Sequence, residues 1–559
     1  MHLTLALAGS KVLGRVPLHW ALRMPGDDWP GASFQEHTGQ ITARRRSDAQ
    51  AHVAASANPA PGRKNWSGMS PPSPLILLEF NELTPALMER FIGDGKLPNF
   101  ARLREGCEVF TSDAEEQEPC LEPWIQWVTV HTGVPYSAHR IFRLSEAHKL
   151  QFRNLWDMAS QEGHLIWVCG SMNASHENGT TGYLLPDPWS ADTAPQPDAL
   201  LPYFHFVQRN VQEHSNDRFP LNKSDYFRFL RFMIAHGLSA NSVASIFRQL
   251  LAEKKTGTGR WRRAFILEKL QFDVFSAVYR RIRPAFSTFF LNSTAHMQHL
   301  YWRYMEPERF TVPLDQKKLR EYESAILEGY LAMDHLLGRM LALVGNEAIV
   351  ILSTALSQQP CLRYEEAGGK RSYRPKDFLP FIEFAGIIST CRVEPVMAEQ
   401  FWLRLDSISD AVDAESKLAA LWVGQERAFH AKRDGCGVFT SCSINHALPA
   451  DSVLRVENSG RSVPFFDLFY SMEGGKSGMH HPDGMLWIRH PARTHKVYQQ
   501  PVPLLSVAPT ILDLLGIDQP EYMRGESLFR NPTGRRFPGA DADLAAPARS
   551  CNQSSEAGR

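Results

Sequence analysis

The chain has 559 residues, 43% hydrophobic and 21% charged, ordinary values for a globular protein with one large α/β core and insertions, or with two domains. Lys+Arg and Asp+Glu both number 60, so no net field recruits nucleic acid or an anionic membrane. No run approaches the roughly 18 apolar residues of a membrane span, and the eight cysteines form no CxxC pair, which reads as the reduced thiols of a cytoplasmic protein.

Residues 1–72 carry Arg44-Arg45-Arg46 among many Ala, Ser, Gly and Pro without sustained periodicity. The expectation there is a disordered leader or an over-extended start. The short apolar run Leu3–Gly9 lacks the basic flank of a signal peptide. From Leu75 onward, short β-rich runs alternate with helical patterns over residues 73–530. Candidate strands are Leu75–Asn81, His164–Cys169, Ser287–Asn292, Ala348–Ser353 and Met485–Arg489. That alternation predicts a mostly parallel sheet with helices on both faces, and chemistry at the carboxyl ends of the strands.

Two stretches interrupt it. Residues 200–285 read as a helical insertion rich in Arg and Phe, as in Phe227-Arg228-Phe229-Leu230-Arg231-Phe232. This mixture is read as amphipathic packing with solvated Arg, or as a lid facing a polyanion. Residues 360–464 read as a second insertion, with a strand at Phe401–Leu405, a helix over Ser407–Val423 and a β-run from Gly437 to Ser441. Residues 531–559 have the leader's character and are expected to be a disordered tail.

Several motifs stand in a suggestive order. The strand ending at Asn81 is followed by a helix and Leu97-Pro98-Asn99-Phe100; an apolar run from Trp124 to Val128 then leads into Thr132-Gly133, Pro135 and His139. Later come Asn292-Ser293-Thr294-Ala295-His296 with His299, Met333-Asp334 to Gly338, Gly478-Met479-His480-His481-Pro482-Asp483-Gly484, Ser506 to Gly516, and Met523 to Leu528. This ordered set resembles the alkaline phosphatase-like superfamily, especially its type I phosphodiesterase and nucleotide pyrophosphatase branch. The resemblance spans roughly residues 74–530 and implies an α/β sandwich that hydrolyses phosphate or sulfate esters with bound metal. It also implies that Asp334 serves packing, and that Asp483-Gly484 is a turn before the Met485 strand.

The chain departs from that pattern where the metals should sit. Asn81 and Asn292 stand where the family has Asp, Thr354-Ala355 where it has Asp-His, and Pro123 with Glu122 where it has a nucleophile. Losing three ligating side chains removes the anionic compensation that two dications held about 4 Å apart require. One metal is expected instead, zinc, with manganese as the other candidate. The ligand candidates are Asn81, Asn292, His296, His299 and His480, with Glu79, Glu82 or Glu122 as the anion. His296 and His299 also admit a reading as core or hydrogen-bonding residues. Glu122 is read three ways: as general base, as metal ligand, or as N-cap of the helix that Pro123 opens. Two functions follow: a phosphodiesterase-like hydrolase using water, or a catalytically silent relative that binds an anionic or phosphorylated ligand.

Overall fold

The segment Leu75–Phe80 (β1) is buried at every position, so both of its faces must be covered. Its side chains alternate between two separate apolar clusters. Ile76, Leu78 and Phe80 join one cluster, while Leu75 and Leu77 join another. A strand buried on both sides reads as a continuous apolar run, which is why this signal is visible in the sequence. In the computed structural model, residues 73–529 are described apart from 145, 191–192, 216–221, 367–368, 397–398 and 473–475. The expected leader and tail lie outside the described residues.

Around β1 the chain places helices Pro85–Gly93 (α1) and Pro98–Glu105 (α2), strand Glu108–Asp113 (β2) and helix Pro123–Thr132 (α3). Helix Leu155–Gln161 (α4) and strands Ile166–Cys169 (β3) and Gly182–Leu185 (β4) follow. Four helices come next: Leu201–Ser215 (α5), Lys223–Ala235 (α6), Ala240–Thr256 (α7) and Arg263–Ile282 (α8). The chain then returns to the sheet with Phe286–Leu291 (β5), leaves it through Ser293–Met305 (α9) and Ala325–Val344 (α10), and re-enters with Ile349–Ser353 (β6). Strand Ser357–Pro360 (β7) lies beyond β6 and pairs with Gly478–His481 (β8). Strand Asp483–Arg489 (β9) and helix Val507–Leu514 (α11) complete the frame.

The central sheet has nine strands, in the order β2, β9, β6, β1, β5, β3, β4, with two short strands added beside β2. β1 lies between β5 and β6 and is parallel to both; β9 runs antiparallel to β2 and β6. Trp127 and Val130 of α3, Trp156 of α4 and Ile511 of α11 cover one face. Residues of α1, α2, α5, α6 and α8 to α10 cover the other. Asp483 and Gly484 belong to β9 and pair with Asp113 and Ser112. The expected turn there is corrected, because the antiparallel ladder with β2 already holds both residues extended.

Residues 391–442 contribute a four-stranded antiparallel sheet with an apolar cluster of its own. Its neighbouring helix ends at Ala419, and Leu421–Val423 is a strand, whereas the sequence reading carried the helix through Val423. Strand pairing of Leu421–Val423 with Val453–Val456 claims those residues.

Candidate metal centre

The carboxyl ends of β1, β5 and β6 meet at one place. The Asn81 N–H donates to Leu291 O at 3.0 Å, and the Glu82 N–H donates to Thr354 O at 3.2 Å. These bonds clamp the two residues after β1 between the ends of its neighbours. Glu82 takes φ +59°, a left-handed conformation that a non-glycine residue adopts at a cost on the order of 1–2 kcal/mol. That turn puts a carboxylate at the end of the buried strand.

Two imidazoles approach it. His299 comes from α9 and His480 from β8. His299 Nε2 lies 3.0 Å and His480 Nε2 3.4 Å from the same oxygen, Glu82 Oε2. The three ligand atoms all lie within 4.8 Å of one another, and the two rings stand nearly perpendicular, at 78°. With metal–ligand distances of about 2.0–2.1 Å, neighbouring ligand atoms of a tetrahedral zinc site are roughly 3.3 Å apart, so the observed spacings bracket that edge.

The far side of each ring is also engaged. His299 Nδ1 faces Gly478 O at 3.0 Å, so Nδ1 carries a proton and Nε2 is the nitrogen turned to Glu82. His480 Nδ1 faces Glu122 Oε2 at 3.4 Å. An imidazole that presents Nε2 and anchors Nδ1–H on a carbonyl or carboxylate has the outer shell typical of a metal ligand. His480 Nε2 is buried without a hydrogen-bond partner, a costly state that a cation would relieve. On these grounds the residues fit a divalent ion.

Local geometry makes the convergence achievable. A Cβ on Gly478 would sit 2.5 Å from Gln298 O, so only glycine lets β8 lie close enough to α9 for His299 to reach its carbonyl. The Glu82 carboxylate is braced on both oxygens, by Asn81 Nδ2 on Oε1 at 2.7 Å and Gln358 Nε2 on Oε2 at 2.5 Å.

The electrostatics agree. Burial alone would raise the Glu82 carboxyl, but His299 and His480, by charge and hydrogen bond, hold it well below its usual range. Burial lowers His299 despite Glu82. For His480 burial also acts downward, yet Glu82 and Glu122 on either side push it up overall. Burial raises Glu122, against the pull of His480 and Lys476. Without metal the cluster is therefore a buried carboxylate whose negative charge is offset by the two imidazoles beside it.

The other sequence candidates have separate fates. Asn81 and Asn292 are outside the cluster: Asn81 Nδ2 donates to Asn292 Oδ1 at 2.7 Å as well as to Glu82, and Trp127 Nε1 donates to Asn81 Oδ1 at 2.7 Å. His296, three residues before His299, is also outside it. Its side chain is exposed, and desolvation, with the nearby His299 imidazole, pushes its own imidazole down to about 4. Glu122 is the N-cap residue of α3 but makes no side-chain capping bond; its carboxylate turns to His480. Glu79 points to the opposite face of the sheet and binds His131 Nε2 at 2.6 Å and Ser171 Oγ at 2.6 Å. Thr354 Oγ1 accepts from Met485 N at 2.9 Å. Asp334 packs, accepting bonds from the amino end of α2. Gln358 and Lys476 were missed by sequence reasoning. Neither carries a local signal, since Gln358 reaches Glu82 across 276 residues.

No protein-family model matches the chain, and no curated protein matches its sequence. Several solved structures align with the chain at low identity. A mutant of alkaline phosphatase PafA aligns over 82% of this chain and 99% of its own, at 12% identity and a TM-score of 0.41. An inactive variant of murine ectonucleotide pyrophosphatase/phosphodiesterase 5, in complex with AMP, aligns over 80% and 96%, at 8% identity and a TM-score of 0.37. Phosphonoacetate hydrolase from Sinorhizobium meliloti 1021, in complex with phosphonoformate, aligns over 80% and 96%, at 12% identity and a TM-score of 0.34. A likeness this distant says nothing about the chemistry of the residues above.

Proposed function

We propose that this chain binds one divalent cation through Glu82, His299 and His480 and hydrolyses a phosphate ester there with water as the attacking group. The observation that carries the proposal is the aim of two Nε2 atoms at one carboxylate oxygen, with Nδ1 of each ring turned to an acceptor. Two imidazoles and a carboxylate leave one tetrahedral position open and favour zinc over manganese. When bound, the cation supplies Lewis acidity and makes a water acidic enough to ionise near neutral pH.

The chain's own residues do the rest. Pro123 and Glu122 stand at the head of α3, so no side-chain hydroxyl is offered there and water takes that role. Glu122 Oε2, 3.4 Å from His480 Nδ1, favours a proton on that nitrogen and Nε2 turned inward. Lys476 is near enough to act on Glu122, His299 and His480, and its ammonium offsets the repulsion between Glu122 and an anionic ester. Asn292 and His296 remain accessible beside the cluster, where they can donate to ester oxygens.

The test is metal analysis of the purified protein after loading with Zn²⁺ or Mn²⁺, followed by assay on bis-p-nitrophenyl phosphate. One zinc per chain is expected, lost in His299→Ala and in His480→Ala. Glu122→Gln should keep the metal with about 10- to 100-fold weaker affinity, as expected for a ligand's outer partner. A wild-type protein that takes up no metal sinks the proposal. A loaded but inactive protein supports the second reading, a silent anion binder. That reading is favoured by Asn81 and Asn292, amides joined by a hydrogen bond where the resemblance implies carboxylates.

A further inference from the structure

The side chain of Lys269, on α8, ends on a neutral oxygen. Its Nζ donates to Ser245 Oγ of α7 at 3.2 Å, and Arg248 Nη2 reaches the same hydroxyl at 3.5 Å. Arg248 Nε adds one bond, to Ala244 O at 3.3 Å. Among the described residues, the hydrogen-bond partners of both cations are therefore uncharged. A third cation comes from α10. Arg339 Nη2 donates to Asp273 Oδ1 at 3.1 Å, and its guanidinium lies 4.4 Å from the centre of the Phe272 ring. Asp273 follows Lys269 by four residues on α8, so that bond sets Arg339 about one helical turn from Lys269. His335, exposed, stands one turn before Arg339 on α10.

The acids nearby are mostly turned elsewhere. Glu268, next to Lys269, is buried and accepts the Ser293 N–H at 2.8 Å. Asp334, next to His335, is buried and accepts from the start of α2. Glu253 of α7 pairs with Arg263. Asp273 alone faces one of these cations, Arg339, and it also accepts the Ser239 N–H at 2.9 Å. Burial, with Arg248 and Arg339 close by, holds the Lys269 ammonium below its ordinary value against the pull of Glu268. Like charges crowded in this way disfavour each other until an anion enters. The donors come from three helices and so from different directions. Lys269 and Ser245 are half-buried and Arg339 is 23% exposed, a recess that suits a small anion better than a flat macromolecular surface. A carboxylate offers two oxygens in one plane, whereas a tetrahedral phosphate group offers terminal oxygens to donors on several sides.

We propose that Arg248, Lys269, His335 and Arg339 bind a small phosphate-bearing anion between α7, α8 and α10. Ser245 Oγ accepts from Lys269 and has its own O–H left to donate to the ligand. None of these residues belongs to the cation cluster, so the proposal stands apart from the proposed hydrolysis.

The experiment is isothermal titration calorimetry of the full chain, with a chelator present to keep the cation cluster empty. The titrants are inorganic phosphate, pyrophosphate, glycerol 3-phosphate and, as a carboxylate control, citrate, all at one ionic strength. Saturable binding of one phosphate-bearing anion per chain is expected, with citrate weaker. A preference for glycerol 3-phosphate assigns the site to esterified phosphate, and a preference for the inorganic anions assigns it to free phosphate. Lys269→Gln and Arg248→Gln should each weaken binding about tenfold or more, the loss of one hydrogen bond between charged groups. Arg231→Gln, at an exposed position of α6, should leave it unchanged. If Lys269→Gln fails to fold, Arg248→Gln still decides, since Arg248 is exposed. The proposal is overturned if no phosphate binds saturably, if citrate binds as tightly as the best phosphate, or if Arg248→Gln keeps wild-type affinity. It is overturned equally if Arg231→Gln weakens binding as much as Arg248→Gln does.

Discussion

His139 is a buried imidazole whose protonation the fold resists. Its Nδ1 accepts the Ile141 N–H at 3.0 Å, and its Nε2 lies 3.3 Å from Thr129 Oγ1. The ring is therefore neutral, with its proton on Nε2, and burial pushes its pKa down to about 4. In the unfolded chain the group titrates near 6.5. A depressed folded value means that its contribution is complete above pH 6.5 and is lost as pH falls from there to about 4, by up to roughly 3 kcal/mol. Urea unfolding at pH 7 and pH 4.5 should show a larger loss for the wild type than for His139→Gln. Equal losses would remove His139 as the cause. The comparison with the variant is needed because Asp187, raised to about 6 by burial, shifts stability in the opposite direction over part of the same range. At this scale the sequence offered Asn81, Asn292, His296, His299 and His480 by motif position and Glu82 as one of three anions, and the structure brings Glu82, His299 and His480 together. It could not tell which of His296 and His299 lies beside Glu82, because His299 is placed there with Gly478 O, a backbone acceptor 179 residues away. It also could not show that Glu122 leaves its helix end uncapped, since only the position of His480 draws the carboxylate aside.

Helix α2 begins at Pro98 after Leu97, a residue with no oxygen to cap it. Asp334 of α10 supplies the cap from outside. Its carboxylate accepts the N–H groups of Asn99 and Phe100 at 2.9 Å each, and Asn99 Nδ2 at 2.8 Å. Removing it leaves several donors at a partly buried helix start, so Asp334→Ala should cost about 2–4 kcal/mol in urea unfolding. Asp334→Asn should recover part of that, since the amide oxygen still accepts. A loss below roughly 0.5 kcal/mol, the range of an ordinary surface change, would mean that the helix end is satisfied by something else. The same contact shows what an element reveals of itself. Pro98 announces the start of α2, and apolar runs announce β1, β3, β5, β6 and β9 within a residue or two, because those signals are local. The cap, the antiparallel direction of β9, and the strand that replaces the end of the helix after Ala419 are set by partners remote in sequence.

At the scale of the molecule, the three proposed ligands come from the end of β1, the first half of α9 and the strand β8, spread from residue 82 to residue 480. The unfolded chain has no such site, so a cation bound there stabilises only the folded state. With free Zn²⁺ at one hundred times its dissociation constant, linkage predicts about 2.7 kcal/mol. The unfolding entropy of a chain this large makes that a shift of only about 3 °C in thermal midpoint. Urea unfolding is therefore the more sensitive readout: its midpoint should rise with Zn²⁺, return with a chelator, and stay fixed in His480→Ala. His480→Ala should also abolish the Zn²⁺ dependence, and it should lower the metal-free midpoint as well, because it removes a buried imidazole that faces both Glu82 and Glu122. A midpoint that rises equally in wild type and variant would place the cation elsewhere on the chain. A wild-type midpoint indifferent to zinc would leave Glu82, His299 and His480 as a buried carboxylate offset by two imidazoles, and the scaffold without its cation.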